Sequence, residues 1–354
     1  MSTPIRGLPV PFRDSPAPAY RREPLRVACV QFDVKRGEVK RNAESVEAMT
    51  SRLQPDSLDL LVLPEMCLSG YIFNSATAIL PYLEQPRIGP TSLLARSLAR
   101  RLRCHVVAGY PEALVEESGE APTASSSSSL LLDSSAGVEE TGPKAMKALE
   151  GEGEGVGFNS AIVVGPEGEI VGNYRKTFRF DTDKCWARAG SGFMHFDLPE
   201  PLGRTAIGIC MDMNPKDFIA PWDAFELGSY VRESGADTLV VPMNWLQAPV
   251  EPPNQGLEMD PTAPDESSLN YWAARLQPLH DPTPGYVSPS PSSAMDPQGG
   301  KQVTFVACNR VGVEDGKRYV GTSCVMTLSS DPRRIELVEV CNMTEERVLV
   351  ATVV

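Results

Sequence analysis

The chain has 354 residues, 42% hydrophobic and 22% charged, with a formal net charge of −13. Such a composition describes a globular chain with one large α/β domain or two modest ones, and its acidity argues against nonspecific nucleic-acid binding. No apolar run approaches the roughly 20 residues of a membrane-spanning helix, so no membrane partner is expected.

The first 24 residues hold four arginines among prolines and read as a disordered tail. From residue 25, strand-like and helix-like patterns alternate. LRVACVQFDV (25–34) reads as a buried strand, RNAESVEAMTSRL (41–53) as an amphipathic helix, and LDLLVLPE (58–65) as a second buried strand. TSLLARSLARRLR (91–103) is a helix with Thr91 or a neighbour as its cap, and it leads into the strand CHVVAGYPE (104–112). Residues 115–157, with five consecutive serines and the run GEGEG, read as a disordered surface insertion.

FNSAIVVGPEGEIVGNYRK (158–176) predicts two strands around the turn GPEG. RTAIGIC (204–210), ADTLVVPMNW (236–245), KQVTFVACNRVG (301–312) and TSCVMTL (322–328) continue the strand series, with helices over 222–233 and 269–279. Residues 247–300, crowded with proline, serine and acids, read as a rim or lid. The sum is an α/β chain with a mixed sheet, or two sheets, covered by helices, forming a single domain over 25–354.

Eight cysteines form no C-x-x-C pair and the histidines number three, at 105, 195 and 280, which excludes the usual zinc spacings. No metal or other cofactor is expected. Several cysteines lie inside apolar runs and no secretory signal is evident. A reducing compartment follows as the expectation, the cytoplasm first, with the nucleus or mitochondrion as alternatives. Cys185, in a polar loop, is the thiol expected to be exposed.

Three chemically capable residues stand where strand-like runs end: Glu65 after LDLLVLP, Lys176 after EIVGNYR and Cys210 after TAIGI. Strand exits in α/β sheets are where loops diverge and ligands bind. Taken singly, each has an ordinary reading as loop acid, surface lysine or buried small hydrophobe. Amide hydrolysis needs a nucleophile, a proton carrier and a group to bear charge on the carbonyl oxygen, and these three can divide the tasks. Cys210 would attack, and a nearby lysine cation together with an adjacent base, Glu65, would favour its thiolate. Glu65 would move protons. Lys176 and the Met211 N–H would form the oxyanion hole.

LPEMCLSGY, NYRKTF and GICMDMNP resemble, in order, the glutamate, lysine and cysteine blocks of the nitrilase superfamily of carbon–nitrogen hydrolases. NYRKTFRFDTDKCW, CMDMNPKDFIAPWDAFELGSYV, PMNWL and LNYWAARLQPL are similar, more narrowly, to the fungal protein N-terminal amidases. That resemblance implies a four-layer α-β-β-α sandwich and hydrolysis of the side-chain amide of an amino-terminal Asn or Gln, feeding degradation signals that depend on acidic termini. It also implies a second acid shortly after the lysine, for which Asp183 is the nearest candidate and Asp181 the next. Members commonly pair by sheet extension, so a homodimer is implied unless the long insertions block that contact.

A peptide amino terminus requires a carboxylate or polar cluster for its ammonium group and an aromatic or apolar rim. Tyr71, Asp183, Asp212, Asn214, Asn244 and Trp245 are the candidates; Asp212 has the alternative of capping the turn after the nucleophile, and Trp245 of packing. Two other functions stay open: a small-molecule amidase, nitrilase or carbamoyl hydrolase using the same three residues, and an inactive scaffold that binds.

Overall fold

The structure, a computed structural model, describes residues 23–114, 155–248, 260–281 and 301–354. Residues 1–22 of the expected tail, 115–154 of the expected insertion and 249–259 and 282–300 of the expected rim lie outside the described residues, while Gly157, placed at the end of the expected insertion, already belongs to a strand.

Two sheets carry the fold. The first has the order β15-β1-β2-β3-β4-β5, built from β1 (Leu25–Gln31), β2 (Leu60–Val62), β3 (His105–Ala113), β4 (Gly157–Val164), β5 (Ile170–Arg175) and β15 (Arg347–Val353), with the short β6 (Ala187–Arg188) pairing with β4. The second has the order β14-β13-β10-β9-β8-β7, from β7 (Met194–Asp197), β8 (Arg204–Ile207), β9 (Thr238–Pro242), β10 (Gln302–Cys308), β13 (Cys324–Ser330) and β14 (Arg333–Val340). A small hairpin, β11 (Val313–Glu314) with β12 (Lys317–Arg318), stands apart from both. In each sheet three neighbouring strands run parallel, β1, β2 and β3 in the first and β8, β9 and β10 in the second, and the strands outside them pair antiparallel, except that β6 pairs parallel with β4.

Strand alternation makes the layers. In the first sheet Val27, Cys29, Leu60, Val62 and Val107 point inward and pack with residues of the second sheet, including Leu239, Val241 and Phe305. Their neighbours Ala28, Val30, Leu61, Leu63 and Val106 point outward, onto α1 (Val39–Thr50) and α3 (Pro90–Leu102). Leu94, Leu98 and Leu102 recur every four residues on α3, giving it one apolar stripe toward the sheet. On the far side, α5 (Glu226–Ser234), α6 (Glu266–Arg275) and α7 (Gln277–His280) pack apolar residues such as Val231, Trp272 and Leu279 into the second sheet's core. Two shorter helices, α2 (Ala76–Ile79) and α4 (Asp181–Lys184), lie between strands of the first sheet's half. The four layers implied by the resemblance are therefore present.

Several sequence expectations shift. Thr91 is not the cap of α3: Gly89 is, Pro90 occupies the first turn, and the Thr91 N–H donates to Glu84 Oε2 at 2.8 Å. The helix expected from 222 begins at Glu226, because 222–224 form a 3₁₀ turn and Phe225 adopts the left-handed φ of 42°. The helix expected over 269–279 starts earlier and divides at Leu276, since Pro278 has no N–H to continue the ladder. Strands β7, β14 and β15 were not anticipated; β15 closes the edge beside β1 with every second residue buried.

Candidate active site

Face-to-face sheets bring four strand exits to one place. Glu65 lies just beyond β2 and Lys176 directly after β5, while Cys210 follows β8 and Asn244 follows β9. Gly109 on β3 makes room for the Glu65 turn: a Cβ there would sit 2.5 Å from the Glu65 Cα. Lys176 is fixed by its backbone, whose N–H donates to Asn159 O at 2.8 Å. Its ammonium Nζ donates to Glu65 Oε1 and to Asp183 Oδ2, each at 2.7 Å. Asn159 ties the same two acids together, its Nδ2 donating to Glu65 Oε1 at 2.7 Å and to Asp183 Oδ1 at 3.0 Å. All of this is sealed: Glu65, Asp183 and Lys176 are 0–1% exposed.

Cys210 opens a 3₁₀ turn, Cys210–Met213, with a φ of 39°. Left-handed backbone at a residue with a side chain costs about 1–3 kcal/mol and persists only where its surroundings impose it. Asp212 imposes it here. Its Oδ2 accepts from the Ile209 N–H and the Tyr174 hydroxyl, both at 2.8 Å, and its Oδ1 from the Phe178 N–H at 2.7 Å. The turn is thereby locked to β5 and to the chain that follows Lys176, the same segment that carries the ammonium group.

Charge at the site sums to two carboxylates around one ammonium. Burial would lower the Lys176 pKa, but Asp183 and Glu65 outweigh it and hold the group above the ordinary lysine value. Burial raises Glu65 above the usual carboxylate range, and Asp183 adds to that while Lys176 opposes it. Burial likewise pushes the Cys210 thiol well above its usual value; Glu65 reinforces the rise, and Lys176 and the Asn244 N–H offset part of it. Lys176 favours the thiolate, as expected, but burial and Glu65 outweigh it, so deprotonation of Cys210 calls on the adjacent base as well. The second oxygen of the Glu65 carboxylate, Oε2, is buried without a hydrogen-bond partner among the described residues.

Residues 26–219, more than half of the chain, match the family model described as carbon-nitrogen hydrolase. The chain belongs to the carbon–nitrogen hydrolase family. This hydrolase is 28% identical over 320 residues to the protein N-terminal amidase of Schizosaccharomyces pombe, covering 86% of the chain and 92% of that protein. It is 27% identical over 245 residues to the protein N-terminal amidase of Saccharomyces cerevisiae, covering 63% of the chain and 45% of that protein. Its fold matches a crystal structure of an N-terminal amidase with a Gln-Gly peptide at a TM-score of 0.69 and 20% identity, over 93% of this chain and 97% of that one.

Cys210 of the hydrolase opens into a cavity of about 730 Å³ that Met211, Tyr71, Asn214, Asn244 and Trp245 also line, so five of the sequence candidates share one pocket with the thiol. Tyr71 turns its hydroxyl to Asp183 Oδ2 at 3.3 Å and its ring face toward the Lys176 Nζ. Asn214 Oδ1 accepts from the Tyr271 hydroxyl at 2.7 Å. Asn244 Nδ2 donates to the Glu65 carbonyl at 3.0 Å, while its Oδ1 is buried with no partner.

Asp212 and Asp183 do not line the pocket: the first spends its oxygens on the nucleophile turn, which is its capping alternative, and the second on Lys176 and its surroundings. The expected acidic mouth is therefore absent among the described pocket residues: Lys317 and Arg318 are the charged ones. Asp181 lies outside the buried cluster, paired at the surface with Lys184 at 3.3 Å. Cys185 is exposed and the other seven thiols are buried.

Sequence reading missed Asn159, the aromatic walls Phe180 and Phe218, and the β11–β12 hairpin. Asn159 left one trace, a polar residue inside an apolar strand. The hairpin left another, the Asp-Gly turn EDGK, whose Asp315 and Gly316 both adopt positive φ.

Proposed function

We propose that the protein hydrolyses the side-chain amide of an amino-terminal Asn or Gln of a peptide or protein to the acid, releasing ammonia, with Cys210 as nucleophile. The observation that carries this reading is the buried Glu65–Lys176–Asp183 cluster set within electrostatic reach of the Cys210 thiol at the base of one open pocket. The substrate class is supported by the names of two curated relatives, one of nearly the same extent. The pocket is also larger than one amide side chain needs, leaving room for the residue that follows.

Glu65 takes the proton from the thiol as sulfur forms a bond to the amide carbon, and the oxygen gains negative charge beside the Lys176 ammonium and the Met211 N–H. Collapse breaks the carbon–nitrogen bond, and Glu65 returns its proton to the departing nitrogen, which leaves as ammonia. Glu65 then takes a proton from water as its oxygen attacks the thioester; sulfur leaves, regains that proton and frees the acid. Asp183 holds Lys176 charged and in place throughout. Asn244, pinned through Nδ2, offers Oδ1 as an acceptor for an N–H of the substrate. The buried thiols suit a reducing compartment such as the cytoplasm.

The test compares short peptides beginning with Asn or Gln against free asparagine, free glutamine and simple nitriles. Peptides that gain about 1 Da, the change from amide to acid, while the small molecules are left intact support the reading. Turnover of the small molecules alone assigns the same chemistry to a small-molecule amidase.

A further inference from the structure

We propose that the pocket mouth contains a subsite for an acidic residue at the second or third position of the substrate peptide, built on Lys317 and Arg318. The inference rests on the peptide amidase reading above.

Both residues belong to β12 and line the same cavity as Cys210. The hairpin that carries them is fixed. Its Asp-Gly turn holds positive φ at Asp315 and Gly316, the Gln247 N–H donates to the Arg318 carbonyl at 2.9 Å, and the Val320 N–H donates to the Trp245 carbonyl at 3.0 Å. These bonds join it to the segment that leaves β9 through Asn244, so the two cations hold a set position relative to the reacting centre.

Among the described residues, the acids nearest to them in the chain and at the pocket are engaged elsewhere. Glu314, opposite Lys317 in the hairpin register, is buried on Arg310 at 2.6 Å and accepts from the Tyr71 N–H at 3.1 Å. Asp315 is paired with Arg36 at 2.7 Å. Asp217, next to the pocket residue Phe218, is paired with Lys184 at 3.0 Å. Lys317 and Arg318 are exposed and make no ion pair among the described residues. On a chain of net charge −13, two unmatched cations at a pocket mouth form a local positive field against the prevailing sign, and a concave site concentrates such a field. The chemistry that complements it is a carboxylate reaching the rim after the amide has entered, as a residue just behind the amino terminus would.

The experiment measures kcat and KM for matched, carboxy-terminally amidated peptides that begin with Asn and carry Glu, Gln or Lys at position two or three. The wild-type protein should favour Glu over Lys by about three- to tenfold in kcat/KM, the size expected of partly exposed ion pairs. The difference should lie in KM and shrink at high salt, since the contact forms equally before and during reaction. Lys317→Ala/Arg318→Ala should bring the ratio near unity, and Lys317→Glu/Arg318→Glu should invert it. Both side chains are exposed, so these changes open no cavity. Equal use of Glu and Lys peptides by the wild type, or a preference that survives the double alanine change, overturns the subsite alone. If no Asn- or Gln-initiated peptide is turned over, the amidase reading falls and takes the subsite with it. A neutral peptide with a free carboxy terminus is the last arm, and a preference confined to that terminus overturns the side-chain assignment.

Discussion

The Lys176 Nζ lies 2.7 Å from Glu65 Oε1, across 111 positions of chain, and neither side chain reaches solvent. With Asp183 equally close on the other side, one ammonium group keeps two buried carboxylates compatible. Lys176→Met leaves those acids facing each other without a cation. It should lower stability by about 3–5 kcal/mol, the cost of breaking a buried pair, and turnover by at least about 10³-fold. Urea unfolding and an ammonia-release assay measure the two losses; a variant with wild-type stability would show that the cluster does not depend on that charge.

Glu65→Gln keeps an oxygen for Asn159 and Lys176 but removes the base. Turnover should drop about 10²–10⁴-fold with the fold intact. In the wild type, burial first and Asp183 second raise the Glu65 pKa against Lys176, so the ionised, active form is lost as pH falls through a value above the ordinary carboxylate range. The acid limb of kcat/KM should accordingly lie well above about 4.3, the usual value for glutamate. A limb at that usual value would contradict the assignment of Glu65 as a buried base.

The exits at Glu65 and Cys210 were legible because burial between two layers writes β2 and β8 as apolar runs that end just before them, whereas β5, half-exposed and carrying Asn173 and Arg175, marks Lys176 only as the end of a strand-like stretch. Asp183 was approached through the family resemblance, since an acid seven residues after a lysine carries no periodic signal. Asp212 kept two readings for a related reason, and its capping alternative is the one observed: a carboxylate beside a nucleophile reads the same whether it faces a ligand or, as here, backbone N–H groups. The second sheet's outer strand β14 has no fully buried residue and carries four charged ones, so it offers little contrast with a loop.

Gly109 couples fold to site. Gly109→Ala would place a methyl 2.5 Å from the Glu65 Cα and 2.8 Å from the Met66 N, both backbone atoms that cannot rotate away. Overpacking of this kind costs about 1–3 kcal/mol. The variant should lose that much stability and, because the strand exit must shift, a larger share of its turnover than of its fold. Thermal melting with steady-state kinetics checks both, and full activity would show that the Glu65 turn has slack.

Away from the site, Glu84 accepts from the Thr91 N–H and hydroxyl at the start of α3, and burial raises its pKa from 4.5 to about 7. The folded state therefore binds this proton more tightly than the unfolded state. Its contribution is fully present below about 4.5 and is lost as pH rises through about 7. Relative to Glu84→Gln, the wild type should lose about 3 kcal/mol across that window. Urea unfolding of the two proteins at several pH values measures the difference; a constant difference would contradict it.

Nucleophilic attack by Cys210 is the claim on which the rest depends. The most direct test is mass spectrometry of an Asn-initiated peptide and a Gln-initiated peptide after incubation with the wild type and with Cys210→Ala, the variant first shown by its melting curve to be folded. The account predicts a gain of about 1 Da with the wild type and none with the variant, since the Cys210 sulfur is the atom that carries the acyl group. Deamidation by folded Cys210→Ala at a rate near that of the wild type would contradict it.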